Sequence, residues 1–145
     1  MRKIKIFDEQ RKIKLDVKKI SKYILRLERE FHLSKNSGYN IIFLNDTEIK
    51  KLNKRFRKTD RSTDVLSFPP EAPACRSGRG HLLADIFISV NTAKSNAKFY
   101  KQDFYTEILR LIIHGILHSI GYTDYSEKTK KNMWEKQEQV LKCIM

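Results

Sequence analysis

The chain has 145 residues, 40% hydrophobic and 32% charged, a composition that excludes a disordered protein and is typical of a soluble globular one. No apolar run approaches the roughly 18 residues that cross a bilayer, and the start MRKIKIFDEQ becomes charged too early for a secretory signal. The two cysteines, Cys75 and Cys143, exclude a disulfide framework and a cysteine zinc site, so we expect a cytoplasmic protein. The length predicts a single domain over residues 1–145.

The net charge of +13 is unevenly distributed. Residues 1–61 contain 19 Lys and Arg against 8 Asp and Glu, whereas residues 62–145 contain 11 against 9. The excess is densest in KKLNKRFRKTDR, residues 50–61. Such a field attracts polyanions with a strong dependence on salt, although a lysine-rich composition can also serve solubility alone.

The first part of the chain alternates strand and helix patterns. KIKIF, residues 3–7, alternates as a strand does, and the prediction extends it toward KIKLD, residues 12–16. Residues 16–31 carry apolar side chains at helical spacing, with Asp16 placed as the N-cap. YNIIFLN, residues 39–45, is a strong strand pattern.

A helix is predicted over residues 46–57, capped by Asp46 or Thr47. Its inward side chains are Ile49, Leu52 and Phe56. TDVLSF, residues 63–68, predicts a short strand that ends at Pro69-Pro70. The small and polar residues 71–81 predict a loop.

The second part predicts one more strand and three helices. LADIFISV, residues 83–90, is the strand, and helices are expected over residues 91–102, 103–121 and 126–144. The helix over 103–121 is apolar nearly all round and should be central, whereas the last helix should pack through Met133, Trp134, Val140 and Leu141. Together, the predicted strands and helices indicate an α/β sandwich, with one mixed sheet of about four strands and helices packed around it.

Two histidines of the central helix lie at a metal-ligand spacing. His114 and His118 are four residues apart, so they project from one helix face and can converge on an ion at about 2.0–2.1 Å. The alternative is two core histidines bonded to carbonyl groups, but a pair at this spacing in an apolar helix favours a metal. Gly115 costs about 1 kcal/mol relative to Ala inside a helix, which predicts close packing there. It also replaces the glutamate of the H-E-x-x-H peptidases, so a metal-dependent peptidase is the less favoured function.

Three stretches together resemble one family. HGILHSIGYTD, residues 114–124, resembles the H-G-x-L-H-L-x-G-Y-D-H signature of the YbeY family of metal-dependent endoribonucleases. LNKRFRKTDRSTDVLSFP, residues 52–69, and LLADIFIS, residues 82–89, resemble two further motifs of that family in the same order. The resemblance implies a single-strand-preferring phosphodiester hydrolase that acts in maturation of small-subunit (16S) rRNA and in ribosome quality control. It also implies the small ribosomal subunit and its assembly factors as partners, with neither DNA nor a membrane.

The same resemblance implies the ligand set. It makes His114 and His118 metal ligands and places Asp124 where the family has a third histidine. One divalent ion is expected, Zn²⁺ first, although a carboxylate ligand also suits oxygen-preferring ions. Asp124 has an alternative role, because DYSE fits a capping box in which Asp124 caps the last helix and Glu127 reaches back.

The resemblance further implies a role for one arginine. Arg57 matches the family's functional arginine and, with His114, would be catalytic, contacting the scissile phosphate through two parallel hydrogen bonds. Without the resemblance it would be one more solvated cation of a basic run. The remaining substrate-binding candidates, which would follow the RNA backbone, are Lys54, Arg55, Lys58 and Arg61.

Three protein ligands would leave a coordination position for water, which a metal ion makes acidic enough to attack phosphodiesters near neutral pH. The main alternative from another class is a ribosome-associated RNA-binding factor whose metal is structural and which does not cleave.

Overall fold

The fold is an α/β sandwich. A computed structural model describes residues 3–33, 38–58, 63–69 and 82–145. Within these ranges the elements are β1 (Ile4–Asp8), α1 (Val17–Glu30), β2 (Gly38–Leu44), α2 (Asp46–Arg57), β3 (Val65–Phe68), β4 (Leu82–Ser89), α3 (Val90–Phe99), α4 (Phe104–Ser119) and α5 (Glu127–Ile144). The predicted α/β class and four-stranded sheet are confirmed.

The sheet is mixed and covered on both faces. Its strand order is β1-β2-β4-β3, with β1, β2 and β4 parallel and β3 antiparallel to β4. Tyr39, Ile41 and Phe43 of β2 face a core formed with α1, α3, α4 and α5. Ile42 and Leu44, on the other face, pack with α2. Covering both faces explains why β2 is an almost unbroken apolar run.

Two sequence predictions about local structure are wrong. β1 ends at Asp8 and does not reach residues 12–16, because the Gln10 side chain bonds both the carbonyl and the amide of Ile13 and closes a turn. The N-cap of α2 is Asn45, which accepts from the amide of Glu48 at 2.9 Å, and not Asp46 or Thr47. The Asp46 carboxylate instead accepts a 2.8 Å hydrogen bond from the Thr92 hydroxyl at the start of α3.

The last helix also differs from the prediction in one residue. The buried side chains of α5 are Met133, Gln137, Val140, Leu141 and Ile144. Trp134 does not pack in the core, because it lies about 100° around the helix from Met133 and is 59% exposed.

The N-cap prediction at Asp16 is confirmed, since its carboxylate accepts from the amide of Lys19. The loop expected over residues 71–81, like Pro70, lies outside the described residues. Among the helices of the described ranges, none has both the length and the apolar character required to cross a membrane.

Candidate metal centre

Close packing of α4 on the sheet positions the histidine pair. A Cβ atom at Gly115 would lie 2.7 Å from Cγ2 of Ile86 in β4, a distance that side chains do not tolerate. Gly115 therefore allows a close approach of the helix to the strand that a larger residue would permit only if Ile86 shifted, and the predicted close packing is confirmed. His114 and His118 flank this contact and are half-buried at the edge of the helix–sheet interface.

The two imidazole rings turn the same type of nitrogen toward each other. The Nε2 atoms of His114 and His118 lie 3.1 Å apart, and their ring planes make an angle of 83°. Nδ1 of His118 lies 3.1 Å from the carbonyl oxygen of Tyr122. Because a carbonyl can only accept, this Nδ1 carries the hydrogen, and Nε2 of the neutral ring has a lone pair.

A series of hydrogen-bonded side chains fixes the His114 ring in the same tautomer. Nδ1 of His114 lies 2.7 Å from Oε1 of Gln137. The Gln137 amide nitrogen donates to Glu138 at 3.2 Å, which leaves its oxygen facing His114. Arg110 holds the Glu138 carboxylate through hydrogen bonds of 2.9 and 3.0 Å. His114 therefore donates from Nδ1, and its Nε2 also has a lone pair.

The end of α4 returns the chain to these rings. The amide of Gly121 donates to the carbonyl of His118, and that of Tyr122 donates to Leu117, which together form a Schellman motif. Gly121 has a φ of 108°, a left-handed conformation that glycine adopts without strain. The turn places the Tyr122 carbonyl against His118 and directs the following residues toward the centre.

Asp124 lies at the open side of the pair. Its Oδ2 atom is 4.0 Å from Nε2 of His118, and its side chain is half-exposed. One candidate ligand atom from each of His114, His118 and Asp124 lies within 4.8 Å of the other two. Two imidazole lone pairs at 3.1 Å repel each other unless a cation lies between them. Two imidazoles and a carboxylate form a donor set that fits a divalent ion.

The capping alternative for Asp124 is wrong. The N-cap of α5 is Ser126, which exchanges hydrogen bonds with Thr129 in a capping box. Asp124 lies two residues before this cap, so its carboxylate is not used at the start of the helix.

The environment favours the uncharged form of His118. Burial and the neighbouring His114 lower the pKa of His118, and the opposing effect of Asp124 does not cancel them. Arg57 lowers this pKa further, so its charge is felt at the ring. A neutral ring is the form that binds metals.

Arg57 lines the same cavity as the three candidate ligands. The cavity has a volume of about 610 Å³. Arg57, at the end of α2, donates from Nη2 to the carbonyl of Ser67 at 3.1 Å. Its guanidinium also lies 5.4 Å from the ring centroid of Phe68. These contacts hold Arg57 against β3 at the wall of the cavity.

The other basic candidates are not brought into this cavity. Lys54, Arg55 and Lys58 are exposed on or after the last turn of α2, and none is among the described residues that line it. Arg61 lies outside the described residues.

Sequence reasoning missed Gln137 and the Tyr122 carbonyl. A signal for Gln137 was present, because it is a polar residue within the apolar stripe of α5. Gln137 and His114 are 23 residues apart in the sequence, so their contact could not be predicted from the spacing of residues along the chain. The Tyr122 carbonyl is a backbone group, for which the sequence carries no signal.

Comparison with known proteins gives a consistent match. The family model described as Endoribonuclease YbeY matches residues 3–145. The Endoribonuclease YbeY of Endomicrobium trichonymphae is 40% identical over 107 residues, 72% of this chain and 70% of that protein. The one from Oenococcus oeni is 34% identical over 142 residues, 92% of this chain and 90% of that protein.

A solved structure agrees in fold. The solution structure of TM1509 from Thermotoga maritima matches with a TM-score of 0.66 and 30% sequence identity, covering 97% of this chain and 88% of that one. Family model, relatives and structure agree over nearly the whole chain, so the chain belongs to the YbeY endoribonuclease family.

Proposed function

We propose that this protein is a metal-dependent endoribonuclease that cleaves single-stranded RNA beside the His114, His118 and Asp124 cluster. One observation carries the proposal: the Nε2 atoms of His114 and His118 lie 3.1 Å apart in the cavity that Arg57 lines. Family membership supports RNA as the substrate, as does the net charge of +13.

In this proposal the three ligand residues bind the metal ion, and Arg57 binds the phosphate. His114, His118 and Asp124 would hold one divalent ion, with Zn²⁺ as our first candidate because two imidazoles and a carboxylate suit it. When bound, such an ion supplies Lewis-acid activation of water and of a phosphoryl oxygen. Arg57 pairs with the phosphate oxygens and stabilises the charge that develops on them during hydrolysis.

The proposed physiological substrate is the rRNA of the small ribosomal subunit, with ribosomal partners and a role in ribosome quality control. The resemblance of the three sequence motifs to the family implies this assignment, whereas the family match itself supports RNA as the substrate. The exposed cations Lys54, Arg55 and Lys58 would bind the RNA backbone outside the cavity. The same exposed cations favour the second candidate, an RNA-binding factor that does not cleave.

A cleavage assay separates the two candidates. The Zn²⁺-loaded protein is incubated with a labelled single-stranded RNA, and both kcat and kcat/KM are compared with those of Arg57→Ala, His114→Ala and Arg55→Ala. We expect Arg57→Ala to lower kcat/KM about 100-fold and His114→Ala to abolish cleavage. Arg55→Ala, which removes an equal charge outside the cavity, should keep kcat within a few-fold. Binding without cleavage would favour the RNA-binding factor, and cleavage that survives both cavity substitutions would refute the proposed site.

A further inference from the structure

A second cavity adjoins the metal centre. Its volume is about 640 Å³, within the range of ligand-binding clefts, and residues of α3, α4 and α5 line it. His114, Asp124 and Asp64 line both this cavity and the one that contains Arg57. A ligand held at the metal centre can therefore extend into the second cavity.

Two large aromatic side chains lining this cavity are exposed to solvent. Tyr100 is 65% exposed and Trp134, the single tryptophan of the chain, is 59% exposed. The ring of Phe99 packs edge-on against Tyr100, with centroids 5.0 Å apart. Exposed aromatic rings next to a nuclease centre are the groups on which unpaired bases stack.

Away from the proposed ion, the charge of the cavity lining disfavours a phosphate. Four carboxylates line it against two cations, Arg110 and Lys130. Arg110 is already paired with Glu107 and Glu138. The four carboxylates are Asp64, Glu107, Asp124 and Glu138. An uncharged aromatic ligand with hydrogen-bonding edges fits this lining, and Asn96 and Gln102 add amide groups for such edges.

We propose that the second cavity binds one unpaired nucleobase of the RNA, next to the phosphate held by Arg57, and that Trp134 and Tyr100 stack on it. The inference rests on the proposed function for its substrate. In this proposal Trp134 determines a preference for single-stranded RNA, because a base in a duplex is not available to stack on its ring.

The test uses RNA from which single bases have been removed. A short single-stranded RNA with one cleavage position is made in versions that are abasic at each nucleotide in turn, and KM and kcat are measured with the Zn²⁺-loaded protein. We expect one abasic position beside the cut to raise KM about tenfold, the size of one lost stacking contact. Trp134→Ala should raise KM about equally on intact RNA and add nothing on that abasic RNA. Trp134→Phe should largely restore KM, and Phe7→Ala, which removes an exposed aromatic from the edge strand β1, should leave it unchanged.

Trp134 fluorescence provides a readout that does not require cleavage. Saturating intact RNA should quench the emission, and the RNA lacking the critical base should not. If RNA is not cut but the quenching has this base dependence, the proposed function fails and the base site stands. If RNA is cut while Trp134→Ala keeps the wild-type KM on every version, or if intact RNA leaves the emission unchanged, the base site is refuted.

Discussion

Gln137 determines which nitrogen of His114 faces His118 and the proposed ion site, although it lies on a different helix. It is buried, it accepts from Nδ1 of His114, and Glu138 fixes the orientation of its amide. A partner at the second ring nitrogen fixes the tautomer and raises the basicity of the ligating nitrogen.

Replacing Gln137 by Met keeps the size of the side chain and removes the acceptor. We expect the affinity for Zn²⁺ to fall about 10- to 100-fold, as is typical when such a partner is lost. A competition titration with a chromogenic chelator measures it. Gln139→Met, an exposed position on the same helix, is the matched control. Equal affinities in both variants would show that Gln137 does not act on the ion.

Asp124 and Ser126 are predicted to have separable roles. Asp124→Asn should weaken Zn²⁺ binding and leave the metal-free free energy of unfolding nearly unchanged, because the helix cap is elsewhere. Ser126→Ala should lower that free energy by about 1 kcal/mol and leave Zn²⁺ binding unchanged. Denaturant unfolding in the presence of chelator and metal titration measure the two quantities. A loss of stability in Asp124→Asn with Zn²⁺ binding intact would show that Asp124 is structural.

Part of the candidate site could be predicted from individual residues of the sequence. The spacing of His114 and His118 predicted their common face, and the resemblance placed Asp124 beside them. The cap at Ser126 was missed because a D-x-x-E pattern and an S-x-x-T pattern overlap in the same turn, and only backbone geometry decides between them.

Among the helices and strands, α4 is attached to the rest of the molecule on two sides. Gly115 sets its distance from β4, and Arg110 connects it to Glu138 of α5. Partial burial alone would raise the pKa of Glu138, but the hydrogen bonds from Arg110 and Gln137 and the charge of Arg110 together outweigh it and lower the pKa below its ordinary value of 4.5.

This ion pair predicts acid sensitivity of the contact between α4 and α5. A carboxylate with a lowered folded-state pKa stabilises the protein above its unfolded-state pKa, and that contribution is lost as pH falls through the folded-state value. The free energy of unfolding should therefore decline below about pH 4.5, and the decline should be shallower in Glu138→Gln. Parallel pH profiles for the two proteins would contradict the pairing. Glu135→Gln, at an exposed position of α5, is the control.

Elements with strong periodicity were predictable, but not every residue that caps them. β2 and α1 follow their patterns because both are held by core contacts along their length. The bounds of α2 agree with the prediction, but its N-cap is Asn45, and the Asp46 carboxylate bonds to α3 in a tertiary contact absent from any local pattern.

Over the molecule as a whole, the uneven charge predicts an RNA-binding surface that extends beyond the cavity. Single-stranded RNA affinity should fall with salt by a slope of about 0.7 per neutralised phosphate on a log–log plot. Lys54→Ala should reduce this slope by roughly that amount, whereas Lys142→Ala, at the exposed end of α5, should not. Filter binding from low to moderate salt measures both. Identical slopes for wild type and Lys54→Ala would remove Lys54 from the surface.

The proposed chemistry depends on an ion bound between the facing rings of His114 and His118. X-ray absorption at the zinc edge, combined with isothermal titration of the chelator-treated protein, detects that ion and identifies its ligands. We predict one ion per chain, a first shell of two imidazole nitrogens and at least one oxygen, and loss of uptake in His118→Ala. A protein that takes up no divalent ion, or one whose uptake is unchanged in His118→Ala, would rule out a metal at this pair.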